Sequence, residues 1–164
     1  YYLLMTTIAY EKISENKFGE LFRVSIIDKN TFKPIELTLK NVKTIFGKED
    51  IYDKSYIKWC ISNNDTDVVN LLEKILKESC HDIEIKEFVS QIIIRPNYPR
   101  MLKTKLSNKC SHDIIKHSKG VVTTFNEIKN KPCNVSLALK FVNINKKKLT
   151  YNFEIREIAL LEDN

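Results

Sequence analysis

The sequence predicts a mainly β fold with one or two helices, built as a small antiparallel barrel. Three observations carry that expectation. Apolar and polar residues alternate with period two in segment after segment, the signature of half-buried strands. One long segment repeats its apolar residues at helical spacing instead. A chain this rich in strands must hide its edges, and closure into a barrel does so.

The elements follow in order. Phe22, Val24 and Ile26 alternate with Arg23 and Ser25, so Leu21 to Ile27 reads as a strand. Ile35, Leu37 and Leu39 against Glu36, Thr38 and Lys40 form the next, with Pro34 at its entrance, where no ladder bond is lost. Ile57, Trp59 and Ile61 against Tyr56, Lys58 and Cys60 form a third. Asn64-Asp65-Thr66-Asp67 supplies N-cap types and places acid at the positive end of a helix dipole. Val68, Leu71, Leu72, Ile75 and Leu76 then define a helix to about Lys77.

Ile83 to Arg95 reads as a long β-rich run, broken by Pro96-Asn97-Tyr98-Pro99. Arg100 to Leu106 resumes as a strand. A short helix is expected from Ser111 to Gly120, and a strand from Val121 to Ile128. Val135 to Phe141 and Leu149 to Ile155 are the closing strands, joined by the turn Asn145-Lys146-Lys147-Lys148. Seven or eight strands with a helix between them suit an OB-like antiparallel barrel elaborated by that helix. There is no internal repeat or linker, so residues 1–164 are expected to form a single domain. The chain starts without Met and is expected to be an excised core of a longer protein.

Charge is distributed unevenly. Between Phe88 and Phe153 lie thirteen of the 27 basic residues and only two acids, Asp113 and Glu127, a net of +11 against +6 for the whole chain. Lys outnumbers Arg 23 to 4, and Lys, Asn and Ile together make 59 residues, a skew typical of AT-rich coding. Coding bias explains many lysines but not their segregation from acids. Cations alternating with aromatics on strands suit a polyanion carrying flat bases.

Other chemistry is poorly represented. No apolar run approaches the roughly 18 residues of a membrane helix. Cys60, Cys80, Cys110 and Cys133 form no C-x-x-C pair and are expected as free thiols in a reducing compartment. The chain has no P-loop, dinucleotide fingerprint, nucleophile elbow or H-E-x-x-H. Cys110, His112 and His117, with Cys80-His81, are irregularly spaced for zinc. Asp65 with Asp67, and Glu154 with Glu157, read more simply as helix capping and a solvated strand face than as a nuclease centre. No catalytic residue, metal or cofactor is expected, and no enzyme activity.

The expected interface comprises Tyr56 and Lys58 on one strand, Arg95, Tyr98 and Arg100 at the proline-broken bend, and Lys103 and Lys105 after it. Lys140 and the turn lysines Lys146, Lys147 and Lys148 complete it. Cations would neutralise phosphates and release counterions, while tyrosines would stack on bases. Arg95 and Arg100 are the most specific signal, because arginine is otherwise scarce and its planar fork suits phosphate. Trp59, Phe22, Phe141, Tyr151 and Phe153 lie on apolar faces and are expected mainly in the core.

Two stretches resemble a known group. Ser55-Tyr-Ile-Lys-Trp-Cys-Ile-Ser-Asn-Asn with the following helix is similar to a strand–loop–helix step in single-stranded DNA-binding proteins of large DNA viruses. So is the closing pattern Val121-Val-Thr-Thr-Phe, Asn134-Val-Ser-Leu-Ala-Leu-Lys-Phe and the final strand. The baculovirus DNA-binding protein comes first, with poxvirus and African swine fever virus counterparts second. The resemblance implies an OB-type core and cooperative coating of single strands, with unwinding or annealing in some members; the residues themselves suggest sequence-independent single-stranded DNA binding. It also implies self-association along the strand and a place in viral DNA replication, in the host nucleus or at a viral replication site. That group's acidic C-terminal tail is absent, Glu162-Asp163 being too little to count. The alternatives are a basic protein-interaction or virion structural module, or an RNA-binding domain.

Overall fold

In the computed structural model the described residues are 8–12, 21–28, 31–107, 114–117, 120 and 123–161, with residues 8–12 described by backbone alone. They form eleven strands and one helix. In chain order these are β1 (Ile8–Lys12), β2 (Leu21–Asp28), β3 (Glu36–Val42), β4 (Lys48–Ile51), β5 (Lys54–Cys60), α1 (Asn63–Ser79), β6 (Glu87–Phe88), β7 (Ile92–Ile93), β8 (Met101–Lys105), β9 (Ile115–His117), β10 (Cys133–Asn145) and β11 (Lys148–Leu160). The fold is mainly β, as the alternation predicts. The chain divides into two compact units, and the long strands β10 and β11 contribute a part to each.

The first unit comprises Tyr1–Ile35, Asn63–Ser90 and Leu139–Asn152. Alternation on β2 buries Phe22, Val24 and Ile26 and exposes Arg23 and Ser25. The strand pairs antiparallel with β1 on one side and β10 on the other, setting Val24 opposite Val142 and Phe22 opposite Ile144. Helix α1 starts directly after Ser62, a favoured capping type, with Asp65 in its first turn and Lys77 in its last. It buries Thr66, Val69, Leu72, Glu73 and Leu76. Val68, Leu71 and Ile75, which the sequence places on the apolar face, are only half-buried at its margin.

Glu73 is a buried carboxylate inside this core, and it is satisfied. The Tyr151 hydroxyl donates to Glu73 Oε2 at 2.6 Å, and the Ser90 hydroxyl donates to Oε1 at 3.0 Å. The Tyr151 ring stacks against Phe88, centroids 6.0 Å apart, and the Lys77 ammonium sits 4.4 Å from the Phe88 centroid. Phe88 reaches this position because β6 pairs in parallel with β11 at Lys148 and Leu149.

The second unit comprises Glu36–Ser62, Gln91–Ala138 and Phe153–Asn164. Its ladders run β4-β5-β8-β11-β10-β3, with β7 added to β8 and β9 to β11. A register shift between Cys133 and Val135 bulges β10 against β3. Asn41, at φ +52°, donates its backbone N–H to Asn134 Oδ1 across the bulge. Ile57, Trp59 and Leu102 are fully buried. The Trp59 indole N–H donates to Thr104 Oγ1 at 3.1 Å, and that hydroxyl donates onward to the Ile57 carbonyl at 2.7 Å. A buried indole thus keeps the partner it needs.

Several expectations need correction. The strands do not close into an antiparallel barrel. The sheet is mixed, because β8 and β9 in this unit, like β6 in the first, pair with β11 in parallel. The only link from the end of β3 to β5 among the described residues is an isolated bridge between Lys43 and Cys60. Beyond it the backbone turns away: the Gly47 N–H goes to Thr44 Oγ1, and the Thr44 carbonyl accepts from the Asn130 N–H. The run Ile83 to Arg95 yields only the two short pairings of β6 and β7. Ile115–His117 is strand where a helix was expected, and residues 125–130 form turns, with 123–124 irregular, where a strand was expected. Both segments carry apolar residues without enough flanking pattern to fix their period.

Candidate nucleic-acid interface

The hairpin of β4 and β5 and the neighbouring β8 bring the expected residues together in the second unit. Antiparallel pairing sets Tyr56 opposite Lys105 and Lys58 opposite Lys103, and β4 adds Glu49 opposite Tyr56. Residues directly opposite share a face, so Glu49, Tyr56, Lys58, Lys103 and Lys105 point to one side. Ile57, Trp59, Leu102 and Thr104 point to the other, which is buried. The same alternation therefore builds both the core and the charged face.

Close contacts order this face. The Lys103 ammonium lies 4.2 Å from the Tyr56 ring centroid. The Lys58 ammonium lies 3.2 Å from Glu49 Oε1 and 5.7 Å from the Phe46 ring centroid. Phe46 in turn meets Tyr98, centroids 5.6 Å apart at an interplanar angle of 52°. Tyr98 is held by the bend: Pro96 precedes Asn97 at φ +67°, and the Tyr98 N–H donates to the Arg95 carbonyl at 3.3 Å. Proline followed by a left-handed Asn is the pattern of a type II turn. The bend leaves Arg95, Tyr98 and Arg100 exposed. The Arg100 carbonyl accepts from the Ile61 N–H at 3.0 Å, fixing the bend at the end of β5.

Electrostatics follow from this crowding. Burial, then the neighbouring Lys58 charge, lowers the Lys103 pKa below its ordinary value, while Glu49 opposes the shift. Burial and Lys54 lower Lys105 likewise, against Glu154 and Asp53. In both cases burial is the larger cause, and the nearby acids only partly offset it.

Two sequence expectations fail here. Lys58 and Lys105 were expected in solvent and are buried, Lys58 at 7% and Lys105 at 9% exposure. Each lies on an interior strand with a neighbour on both sides, β4 and β8 for Lys58, β5 and β11 for Lys105, so flanking side chains cover both. Tyr56 and Lys103 are half-buried. Lys140, Lys146, Lys147 and Lys148 belong to the first unit, and the cluster described here is confined to the second. Of these, Lys147 pairs with Glu84 at 3.0 Å.

Phe46 and Glu49 were not anticipated. Glu49 lies in Lys48-Glu49-Asp50-Ile51, which has no apolar alternation to mark it as a strand. Phe46 is a lone aromatic before a glycine in a turn. Trp59 is in the core, as its apolar neighbours predict.

The remaining chemistry is sparse. Cys60, Cys80 and Cys133 are free thiols. Burial pushes Cys80 and Cys133 up to about 11, so both stay protonated near neutrality. Among the described residues no group of three or more His, Cys, Asp or Glu is placed to hold a metal ion. Cys110 and His112 lie outside the described residues. No described helix is long and apolar enough to cross a membrane. No protein-family model matches this chain, and no curated protein matches it.

Proposed function

We propose that this chain binds single-stranded nucleic acid, with DNA as the preferred form, without reading base sequence. One observation carries the reading: the β5–β8 register gathers Tyr56, Lys58, Lys103 and Lys105 on a single face beside the Phe46–Tyr98 pair and the Arg95–Arg100 bend. Phosphates would meet Lys103, Arg95 and Arg100, and bases would stack on Tyr98 and Tyr56. Glu49 holds the Lys58 ammonium beside the Phe46 ring and keeps two facing lysines from repelling each other unopposed. Stacking and phosphate contacts are both indifferent to base identity. Coating and protection of exposed strands during viral DNA replication, implied by the resemblance described above, belongs to the same reading.

The test is a titration of labelled oligo-dT by fluorescence anisotropy at two salt concentrations. Each phosphate neutralised on a single strand contributes a slope of about −0.7 in log K against log salt. Three to five contacts give a slope of roughly −2 to −3.5. Arg95→Ala with Arg100→Ala should lower affinity at least about tenfold with little change in melting temperature, as expected for losing two charged contacts. A flat salt response would instead favour a basic surface for protein partners. Competition between DNA and RNA of equal length would decide the sugar, because stacking alone does not discriminate.

A further inference from the structure

At the apex of the β4–β5 hairpin the chain does something costly. Ile51 pairs with Lys54, leaving Tyr52 and Asp53 as the two loop residues. Tyr52 has φ +56°, and Asp53 is not among the positive-φ residues. A two-residue hairpin with positive φ at its first central position ordinarily places glycine there. A bulky residue in that conformation is a genuine outlier. Packing does not compensate for it, because Tyr52 is 99% exposed. Ile51 beside it is 43% exposed, so the tip is apolar as well as protruding. Strain that no intramolecular contact offsets points to a use outside the fold.

The tip is continuous with the face already described. Lys54 and Asp53 act electrostatically on Lys105, which stands opposite Tyr56. Tyr52 lies four residues before Tyr56, a separation of at most roughly 13 Å, the reach of four extended residues. The Phe46–Tyr98 pair lies toward the opposite end of β5, beside Lys58 and the Arg100 carbonyl contact. Aromatic groups are thus spaced along the whole strand. The hairpin tip itself carries as much acid as base, so it suits contact with a base rather than with a phosphate.

We propose that Tyr52 is a further stacking residue for an unpaired base, and that the bound strand runs the length of β5 from the proline bend to this tip. The proposal rests on the reading of the chain as a single-strand binder. It makes the occupied length at least about four nucleotides, the lower end for a single-strand binding module.

Tyr52→Gly tests it, because glycine removes the ring and relieves the backbone. The variant should melt higher than the wild type. Its affinity for a twelve-nucleotide oligo-dT should fall roughly five- to hundredfold, the range for losing one stacked base. Tyr52→Phe should bind like the wild type. Tyr52→Trp adds a spectroscopic readout: the one native tryptophan, Trp59, is fully buried, so quenching on oligonucleotide addition would report the tip alone. Wild-type affinity in Tyr52→Gly, with unquenched emission in Tyr52→Trp, would overturn the proposal and leave the Arg95–Arg100 result standing. A wild-type protein that ignores oligonucleotides would remove both.

Discussion

Thr104 has no exposed surface, yet its hydroxyl links the Trp59 indole to the Ile57 carbonyl. Thr104→Val keeps the shape and strands the indole N–H, so it should cost about 1–3 kcal/mol. Thr104→Ser should recover part of that loss, and urea midpoints of the three proteins would show it. Lys103 makes a prediction of opposite character. Its folded pKa lies below the ordinary 10.5 of the unfolded chain. The stability linked to it is therefore full above the unfolded value and lost as pH falls through the folded one. Between those two values stability should rise with pH in the wild type and rise less in Lys103→Met. An oligonucleotide favours the charged form, so binding in that window should take up protons, measurable by calorimetry in buffers of different ionisation enthalpy. At this scale the sequence named Tyr56, Tyr98, Lys103, Arg95 and Arg100 but missed Phe46 and Glu49. Side-chain alternation marks a face; it does not say which neighbouring strand supplies the partner.

Among the elements, the β10–β11 turn also carries backbone strain. Lys146 and Lys147 have φ of +51° and +67°, the two left-handed positions that Asn-Gly fills in a type I′ hairpin. Replacing Lys146-Lys147 by Asn-Gly should stabilise the protein by about 1–2 kcal/mol. The lost Lys147–Glu84 pair subtracts little, because both side chains are substantially exposed. Thermal melts would register the gain, and oligo-dT binding by the same variant would show whether these lysines contribute. Helix α1 packs through Val69, Leu72 and Leu76, so Leu72→Ala should cost about 2–5 kcal/mol in chemical unfolding. The helix was legible from its spacing, but the buried face is turned from the expected one. Glu73 is the reason: the Tyr151 and Ser90 hydroxyls make an acidic residue suitable for the interior, and no local pattern announces partners so distant in sequence.

For the molecule as a whole, the net +11 between Phe88 and Phe153 is the coarsest functional statement the chain makes. Among the described residues the fold places Arg95, Arg100, Lys103 and Lys105 in one compact unit and Lys140, Lys146, Lys147 and Lys148 in the other, buries Lys105 and pairs Lys147 with Glu84. Salt dependence should therefore report a handful of phosphate contacts, well short of thirteen. Strand content and the long helix could be read from period alone, since burial of one face imposes that period wherever the element lies. Topology could not. Whether a sheet closes depends on which backbone groups find partners, and after Lys43 they find a turn rather than β5. The sequence by itself determined a β-rich chain, one amphipathic helix and a segregated basic half. Tertiary structure alone decided which lysines are buried, which acid restrains Lys58 and where the Tyr52 ring stands in solvent. Those outcomes depend on pairing between residues far apart in the chain, and composition and periodicity carry no record of it.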